Sequence, residues 1–365
     1  MYSERRDAGR RKVGSVAPHT VGMAPPNGEV GTARTRKEKV SARPASPVVV
    51  GSRHLGLNFV APFVIGDPVT GTPQVDVTVS VGPARPLPCD EPGPIVAELK
   101  PLASAGYTVY SVSGTYVFRF HGMCQFEVSE DGHSVRCLPG PSCTDGLVQI
   151  LMAGTIAAWL LTLRGFAVLH ASAVRSGDAT LLVAGHSGRG KSTVAALCCA
   201  AGTELVADDV AALQLGPSGV ACRGLGRELR LRPQAFEIAD LFSPALPEGR
   251  PTDDGRLAIR PPGAQSEHNL VSAVLFPRPV RDSSQVVTRR LDPAKAVLTL
   301  LANARIAGMV PAAMQRAYFE TVAALAASVP VLEARVPWGP PFATEVAREL
   351  LAQTAEATSP AAARA

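Results

Sequence analysis

The chain is short of charge and of aromatic side chains: Asp, Glu, Lys and Arg make up 18% of its 365 residues, and Phe, Trp and Tyr only 5%. Apolar residues reach 46%, ample for a core, so the low charge marks a globular protein rather than a disordered one. The length suits one large domain or two small ones. The seven cysteines contain no C-x-x-C pair and no zinc-ligand spacing, and their odd number argues against a disulfide framework. Cys198 and Cys199 read as small core residues on a helix. No internal repeat is present, and no apolar run follows the early arginines, which excludes a secretory signal there. A reduced, cytoplasmic protein is expected.

Long hydrophobic runs are scarce as well. Residues 146–163 form an uncharged stretch at the lower edge of a membrane span. The stretch holds Gln149, two glycines and two threonines, so a buried helix is expected and no membrane span. Positive charge is concentrated at one end. Residues 1–45 carry ten Lys or Arg against four acids, a balance of +6 that leaves about −1 for the rest of a chain whose net charge is +5. This segment is rich in Pro, Gly, Ser and Thr without apolar periodicity. It is expected to be a disordered, solvated tail, with no nucleic acid as partner.

Against that background one motif stands out. Gly185-His186-Ser187-Gly188-Arg189-Gly190-Lys191-Ser192 fits the phosphate-loop pattern G-x-x-x-x-G-K-[ST] and runs into Thr193. The apolar run 180–184 before it reads as a strand, and residues 191–201 read as a helix that stops at Gly202. A second strand, 204–207, ends in Asp208-Asp209. This spacing predicts a βαβ unit whose two strands are parallel, close neighbours. Glycines let backbone N–H groups approach phosphates, and the helix points its positive end at them. Lys191 then reaches the β- and γ-phosphates, and the Ser192 hydroxyl ligates Mg²⁺. One aspartate holds the metal and the other accepts a proton from an attacking hydroxyl. Asp209 is set with Ser192 on the metal side, although the sequence does not say which aspartate has which role.

Around this unit, residues 46–144 read as β-rich. Period-two alternation over 75–81, strands over 107–110, 116–120 and 124–128, and turns at Ser113-Gly114 and Asp131-Gly132 predict a small antiparallel sheet. Residues 166–174 read as one strand with His170 inside it. A hairpin over 210–222, a strand at 229–232, a helix from Pro233, a loop over 243–267 and a strand over 272–276 follow. The remainder predicts helices over 293–304, 311–327 and 343–354, a strand over 331–336, and a loose tail over 356–365.

The runs Leu169-His170-Ala171-Ser172-Ala173-Val174, 185–193 and Leu205-Val206-Ala207-Asp208-Asp209 together resemble the catalytic domain of HPr kinase/phosphorylase. They are closer still to the smaller related kinases of peptide natural-product clusters. The resemblance implies an α/β fold with a P-loop kinase core over 145–355, of the HPr kinase and phosphoenolpyruvate carboxykinase type, with a helical C-terminal part. It also implies ATP and Mg²⁺ as cofactors, Asp208, Asp209, His170 and Lys191 as catalytic residues, and Arg230 as a phosphate or transition-state contact. A homo-oligomer would follow the same pattern. Ala221-Cys222-Arg223-Gly224-Leu225-Gly226 keeps the second half of the family's Glu-Ile-Arg-Gly-Leu-Gly signature but has Ala in place of Glu. Arg256 and Arg260 lie in a loop that could close over the nucleotide.

The expected activity is transfer of the γ-phosphoryl group of ATP to a hydroxyl, that of serine in a peptide, a protein or the free amino acid. Two alternatives stand beside it. An ATPase would carry a residue that orients water, and no clear candidate follows the Asp pair. A non-catalytic nucleotide-binding accessory would tend to lose one of Lys191, Ser192, Asp208 and Asp209, and all four are present.

Overall fold

The N-terminal half is organised by period-two alternation and tight turns. The computed structural model describes residues 49–71, 74–99, 106–224, 228–242, 249–306 and 310–359; the basic-tail expectation and most of the C-terminal one fall outside them. The strands are β1 (Val50–His54), β2 (Leu57–Ala61), β3 (Asp67–Pro68), β4 (Val77–Val81), β5 (Ile95–Leu99), β6 (Tyr107–Val112), β7 (Thr115–Phe120), β8 (Cys124–Ser129) and β9 (Ser134–Pro139). They make one nine-stranded sheet in the order β3-β1-β2-β4-β9-β8-β7-β6-β5. The sheet is larger than the small antiparallel one expected, and two of its pairs, β2–β4 and β4–β9, are parallel. Ser113 and Gly114 both have positive φ, 43° and 78°, as a two-residue hairpin turn between β6 and β7 requires.

One face of this sheet is covered by the uncharged helix. α1 (Asp145–Leu151) and α2 (Ala157–Leu163) run on through a π-helical turn, Met152–Ile156. Thr144 caps α1, its side chain accepting from Leu147 N. By length and composition the whole helix could cross a bilayer. Instead Met152, Ile156, Trp159 and Leu160 are buried against Phe118, Phe126 and Val128, and Trp159 stands edge-on to Tyr116 with ring centroids 4.8 Å apart.

The second sheet carries the phosphate loop. Its elements in order are β10 (Ala167–Leu169), β11 (Ala171–Ser176), β12 (Ala179–Ala184), α3 (Lys191–Ala200), β13 (Glu204–Ala207), β14 (Ala211–Gly216) and β15 (Gly219–Arg223). The single strand expected over 166–174 breaks at His170: β10 pairs with β14, whereas β11 pairs with β12 and β13. A small sheet of β16 (Leu229–Leu231), β17 (Arg250–Pro251) and β18 (Leu257–Ile259) comes next, where part of the expected loop turns out to be strand. The helix from Pro233 is a 3₁₀ segment, Pro233–Leu241. The chain then adds β19 (His268–Val280), β20 (Val287–Arg290), α4 (Pro293–Leu301), α5 (Ala312–Ser328), β21 (Val331–Pro337) and α6 (Thr344–Thr358). The last helix reaches three residues into the span expected to be tail.

The order in this sheet is β10-β14-β15-β19-β12-β11-β13, with β21 and β20 added beside β19. It corrects the expected unit. β12 and β13 are not neighbours, because β11 lies between them and is antiparallel to both. The tight turn at Gly177, with φ 59°, folds β11 back on β12 before α3 can return the chain, so the hairpin takes the adjacent place. Apolar side chains of α2, β10, β14 and the first sheet share one core, with Val168, Val210, Ala212 and Ile306 joining Trp159 and Phe118. Among the described residues the protein is thus a mixed α/β fold with several sheets and six α-helices.

Candidate active site

The phosphate loop sits between β12 and α3, where a buried strand ends and a helix N-terminus begins. Gly185, Gly188 and Gly190 all have positive φ, 142°, 85° and 80°, a backbone path that L side chains resist. The indole of Trp338 lies over Gly190, where a Cβ would collide with the ring. His186, Ser187 and Arg189 are exposed, and Arg232 Nη2 donates to Ser187 Oγ at 3.0 Å. Thr193 is half-buried on the first turn of α3. Lys191 is 6% exposed, and its Nζ donates to the His186 carbonyl at 3.1 Å, inside the loop. Burial lowers its pKa to about 8, against the opposing pull of Asp209 and Asp208.

The two aspartates are neighbours in sequence with unlike surroundings. Asp208 Oδ1 accepts from Ser192 Oγ at 2.8 Å and from Ser172 Oγ at 2.6 Å, and its Oδ2 accepts from the Arg230 backbone N at 3.2 Å. Ser172 sits on β11, so the strand that separates β12 from β13 also supplies a hydroxyl that spans the gap. Asp209 has φ 68°, a left-handed conformation that Asp tolerates better than most residues. Its Oδ2 accepts from Arg305 Nη2 at 3.0 Å and lies 3.6 Å from Arg230 Nη2, while Oδ1 lies 3.2 Å from His170 Nδ1. Burial alone would raise the Asp209 pKa, but Arg305, His170 and Arg230 together hold it well below the ordinary carboxylate value.

All the residues singled out in the motif and the Asp pair converge, with one change of partner. Asp209 was set with Ser192 on the metal side, yet the carboxylate that the Ser192 hydroxyl meets is Asp208. Asp209, in its left-handed conformation, instead meets Arg305, Arg230 and His170. Arg230 lies at the corner, bonded through Nη1 to Asp254 at 3.0 Å. Arg256 pairs with the same Asp254 at 3.2 Å, while Arg260 lines a neighbouring cavity.

Three further residues join that the sequence reading missed. Arg305 arrives from a segment whose backbone N bonds to Val168 O at 2.9 Å, beside a bridge between Leu169 and Ala304; no motif marks it. Ser172 lies two residues beyond His170, a spacing that could have signalled it. Arg232 shares a face with Arg230 in the alternating Leu229-Arg230-Leu231-Arg232. The π-helical turn also approaches here: a Cβ on Gly154 would stand 3.4 Å from Arg305 Nη2 and 3.6 Å from Asp209 Oδ2. A cavity of about 610 Å³ opens beside both carboxylates.

No family model matches the chain, and no curated protein matches it by sequence. Among solved structures, the HPr(Ser) kinase/phosphatase from Coxiella burnetii is similar over 53% of this chain and 99% of its own, at 12% identity and a TM-score of 0.28. At that score the likeness is weak, and the chemistry below is derived from the site's own geometry.

Proposed function

We propose that the chain is a kinase that uses ATP and Mg²⁺ to phosphorylate a hydroxyl. The observation that carries this reading is the hydrogen bond from the phosphate-loop Ser192 to Asp208, with the differently partnered Asp209 beside it and a cavity in front. The loop amides and the N-terminus of α3 suit the phosphates, and Lys191, charged below about pH 8, suits their β- and γ-oxygens. Ser192 and Asp208 offer a hydroxyl and a carboxylate oxygen. Such a pair suits a hard cation such as Mg²⁺, which would neutralise phosphate charge there. No group of three or more His, Cys, Asp or Glu is placed to hold a metal by itself among the described residues, in keeping with a metal that arrives with the nucleotide.

Asp209 stays ionised across the physiological range. A carboxylate held so firmly is a weak base, so it orients the acceptor hydroxyl and takes its proton late, as the new O–P bond forms. Arg305 and Arg230, both beside Asp209, would stabilise charge that develops on the transferred group.

The test is turnover of γ-labelled ATP with Mg²⁺ by the wild type, Lys191→Ala and Asp209→Asn, with and without hydroxyl acceptors. ADP release that depends on an acceptor, with label on its hydroxyl, lost in both variants, is the expected result. Rapid turnover without an acceptor would replace the kinase with an ATPase. Nucleotide binding without turnover under any condition would make the chain an accessory module.

A further inference from the structure

The lining of the 610 Å³ cavity takes in Asp208 and Asp209 but no residue of the loop 185–193. The cavity is therefore a second compartment, meeting the phosphate site at the two carboxylates and Arg230. Its walls come from the β1–β2 turn, the π-helical turn, and the ends of β13 and β15. A volume of this size suits a small ligand.

The charges on these walls are not paired evenly. Arg53 is bonded to Glu267 at 2.6 Å and Arg250 to Glu228 at 2.9 Å. Arg230 is held by Asp254 and Asp209. The remaining carboxylates, Asp67 and Asp253, are also engaged, Asp253 by the Thr144 hydroxyl. His54 adds no charge at neutral pH, since burial pushes its pKa down despite the bond to the Ala153 carbonyl. Two guanidinium groups are left with no carboxylate among the described residues: Arg223, half-buried, and Arg260, exposed at the rim.

Arg223 is held ready. Its guanidinium carbon lies 5.4 Å from the Phe166 ring centroid, and it lies across Gly56, whose positive φ of 77° and missing Cβ make room for it. Its Nε is buried and has no hydrogen-bond partner. With Arg223 and Arg260 both lacking a carboxylate among the described residues, this wall of the cavity is complementary to an anion that no described residue supplies.

We infer that this cavity is the acceptor site, and that it admits a small alcohol bearing an oxyanion, a carboxylate or a phosphate. The inference rests on the kinase reading above. Arg223 and Arg260 grip the oxyanion, and the hydroxyl lies toward Asp209. The hydroxyl oxygen forms a bond to the γ-phosphorus of ATP. The bond from that phosphorus to the oxygen bridging the β-phosphate breaks, its electron pair leaving on ADP, and the hydroxyl proton passes to Asp209. A seryl side chain within an uncharged stretch of polypeptide is flanked by neutral amides and would leave both guanidinium groups without a counterion.

The experiment uses the full chain with γ-labelled ATP, Mg²⁺ and six acceptors: L-serine, glycerate, glycerol phosphate, L-serinamide, glycerol, and a seryl peptide with both ends blocked. Label is expected on at least one of the three oxyanion-bearing alcohols, with at least about tenfold preference over the acceptors that lack an oxyanion. The carboxylate and phosphate arms identify which oxyanion is taken. Arg223→Gln and Arg260→Gln are each expected to raise the KM for that acceptor about tenfold, as loss of one charge-assisted pair implies, and to move the KM for ATP far less. Arg260 is exposed, so its variant keeps the test alive if Arg223→Gln misfolds. Equal rates with L-serine and L-serinamide, or label on the blocked peptide alone, overturn the inference while the kinase reading stands. If nothing is labelled, calorimetric titration of the same compounds separates the two. Oxyanion-dependent binding that both variants weaken upholds the pocket without the transfer, and its absence overturns the pocket.

Discussion

The two flanks of the Asp208–Asp209 corner are built in opposite ways. The phosphate flank is a continuous stretch of chain, 185–193, with Asp208 brought to it by hydroxyls and an amide, all of them neutral donors. The cavity flank is assembled from distant segments, and Asp209 is held by two guanidinium groups and an imidazole. Neutral donors leave the Asp208 charge free to meet a cation, whereas cationic partners balance the Asp209 charge and fix its position. Adjacent carboxylates thereby sit in unlike surroundings, which under the proposed reaction suits them to unlike duties.

The largest test of that division is on the phosphate flank. Lys191→Ala should reduce phosphoryl transfer by about a thousandfold, in line with loss of one preorganised cation at a developing charge, with little change in melting temperature. Initial rates beside a thermal scan check both parts. A rate loss accompanied by collapse of the fold would mean that the lysine is structural.

Next comes the contrast between the carboxylates. Asp209→Asn leaves Arg305, 15% exposed at its side chain, without its carboxylate and Arg230 with Asp254 alone, and should cost about 3 kcal/mol. Asp208→Asn disturbs hydrogen bonds from neutral donors only and should cost about 1 kcal/mol. Urea unfolding measures the two, and equal costs would erase the distinction. The pH dependence has a definite sign. Because the folded pKa of Asp209 is depressed, its contribution is complete above the ordinary value of 3.8 and fades as pH falls below it, through the folded value. The stability gap between wild type and Asp209→Asn should thus hold steady from neutral pH to near that value and close only in stronger acid.

Smaller again is the titration of Lys191. Its folded pKa of about 8 lies below the ordinary 10.5, so the unfolded chain binds the extra proton between those values and stability should rise with pH across them. ATP binding favours the charged form. Near pH 8, calorimetry in two buffers of different ionisation heat should show proton uptake on binding, and Lys191→Arg should abolish it. The smallest effect is that of Ser172→Ala, which removes one donor from Asp208 and should cost about 1 kcal/mol or less. An equally small rate effect would show that Ser192 and the Arg230 amide suffice to keep the corner in register.

Legibility follows the same division. The strand, loop and helix around Gly185–Ser192 were readable because each step is local: glycines where φ is positive, a helix former after them, a stop at Gly202. The buried helix and the Ser113-Gly114 turn were readable for the same reason. The insertion of β11 between β12 and β13 was not, since hairpin and crossover compete for one neighbouring place and the pattern of apolar residues is the same either way. Nor was Arg305, which meets Asp209 across 96 residues from a segment without periodicity. The meeting of Ser192 with Asp208 rather than Asp209 was not readable either, because two adjacent aspartates look alike in sequence.

The sequence by itself thus determined that a glycine-rich loop follows a strand, that it opens a helix, and that two carboxylates follow within reach, because backbone conformation over a few residues depends on the side chains of those residues. Only the tertiary structure decided which carboxylate meets Ser192, which cations hold the other, and that Arg223 stands on a cavity wall with no carboxylate partner among the described residues. Those outcomes depend on how strands order themselves in a sheet and which charges meet in a shared low-dielectric space, and neither is encoded at any single position.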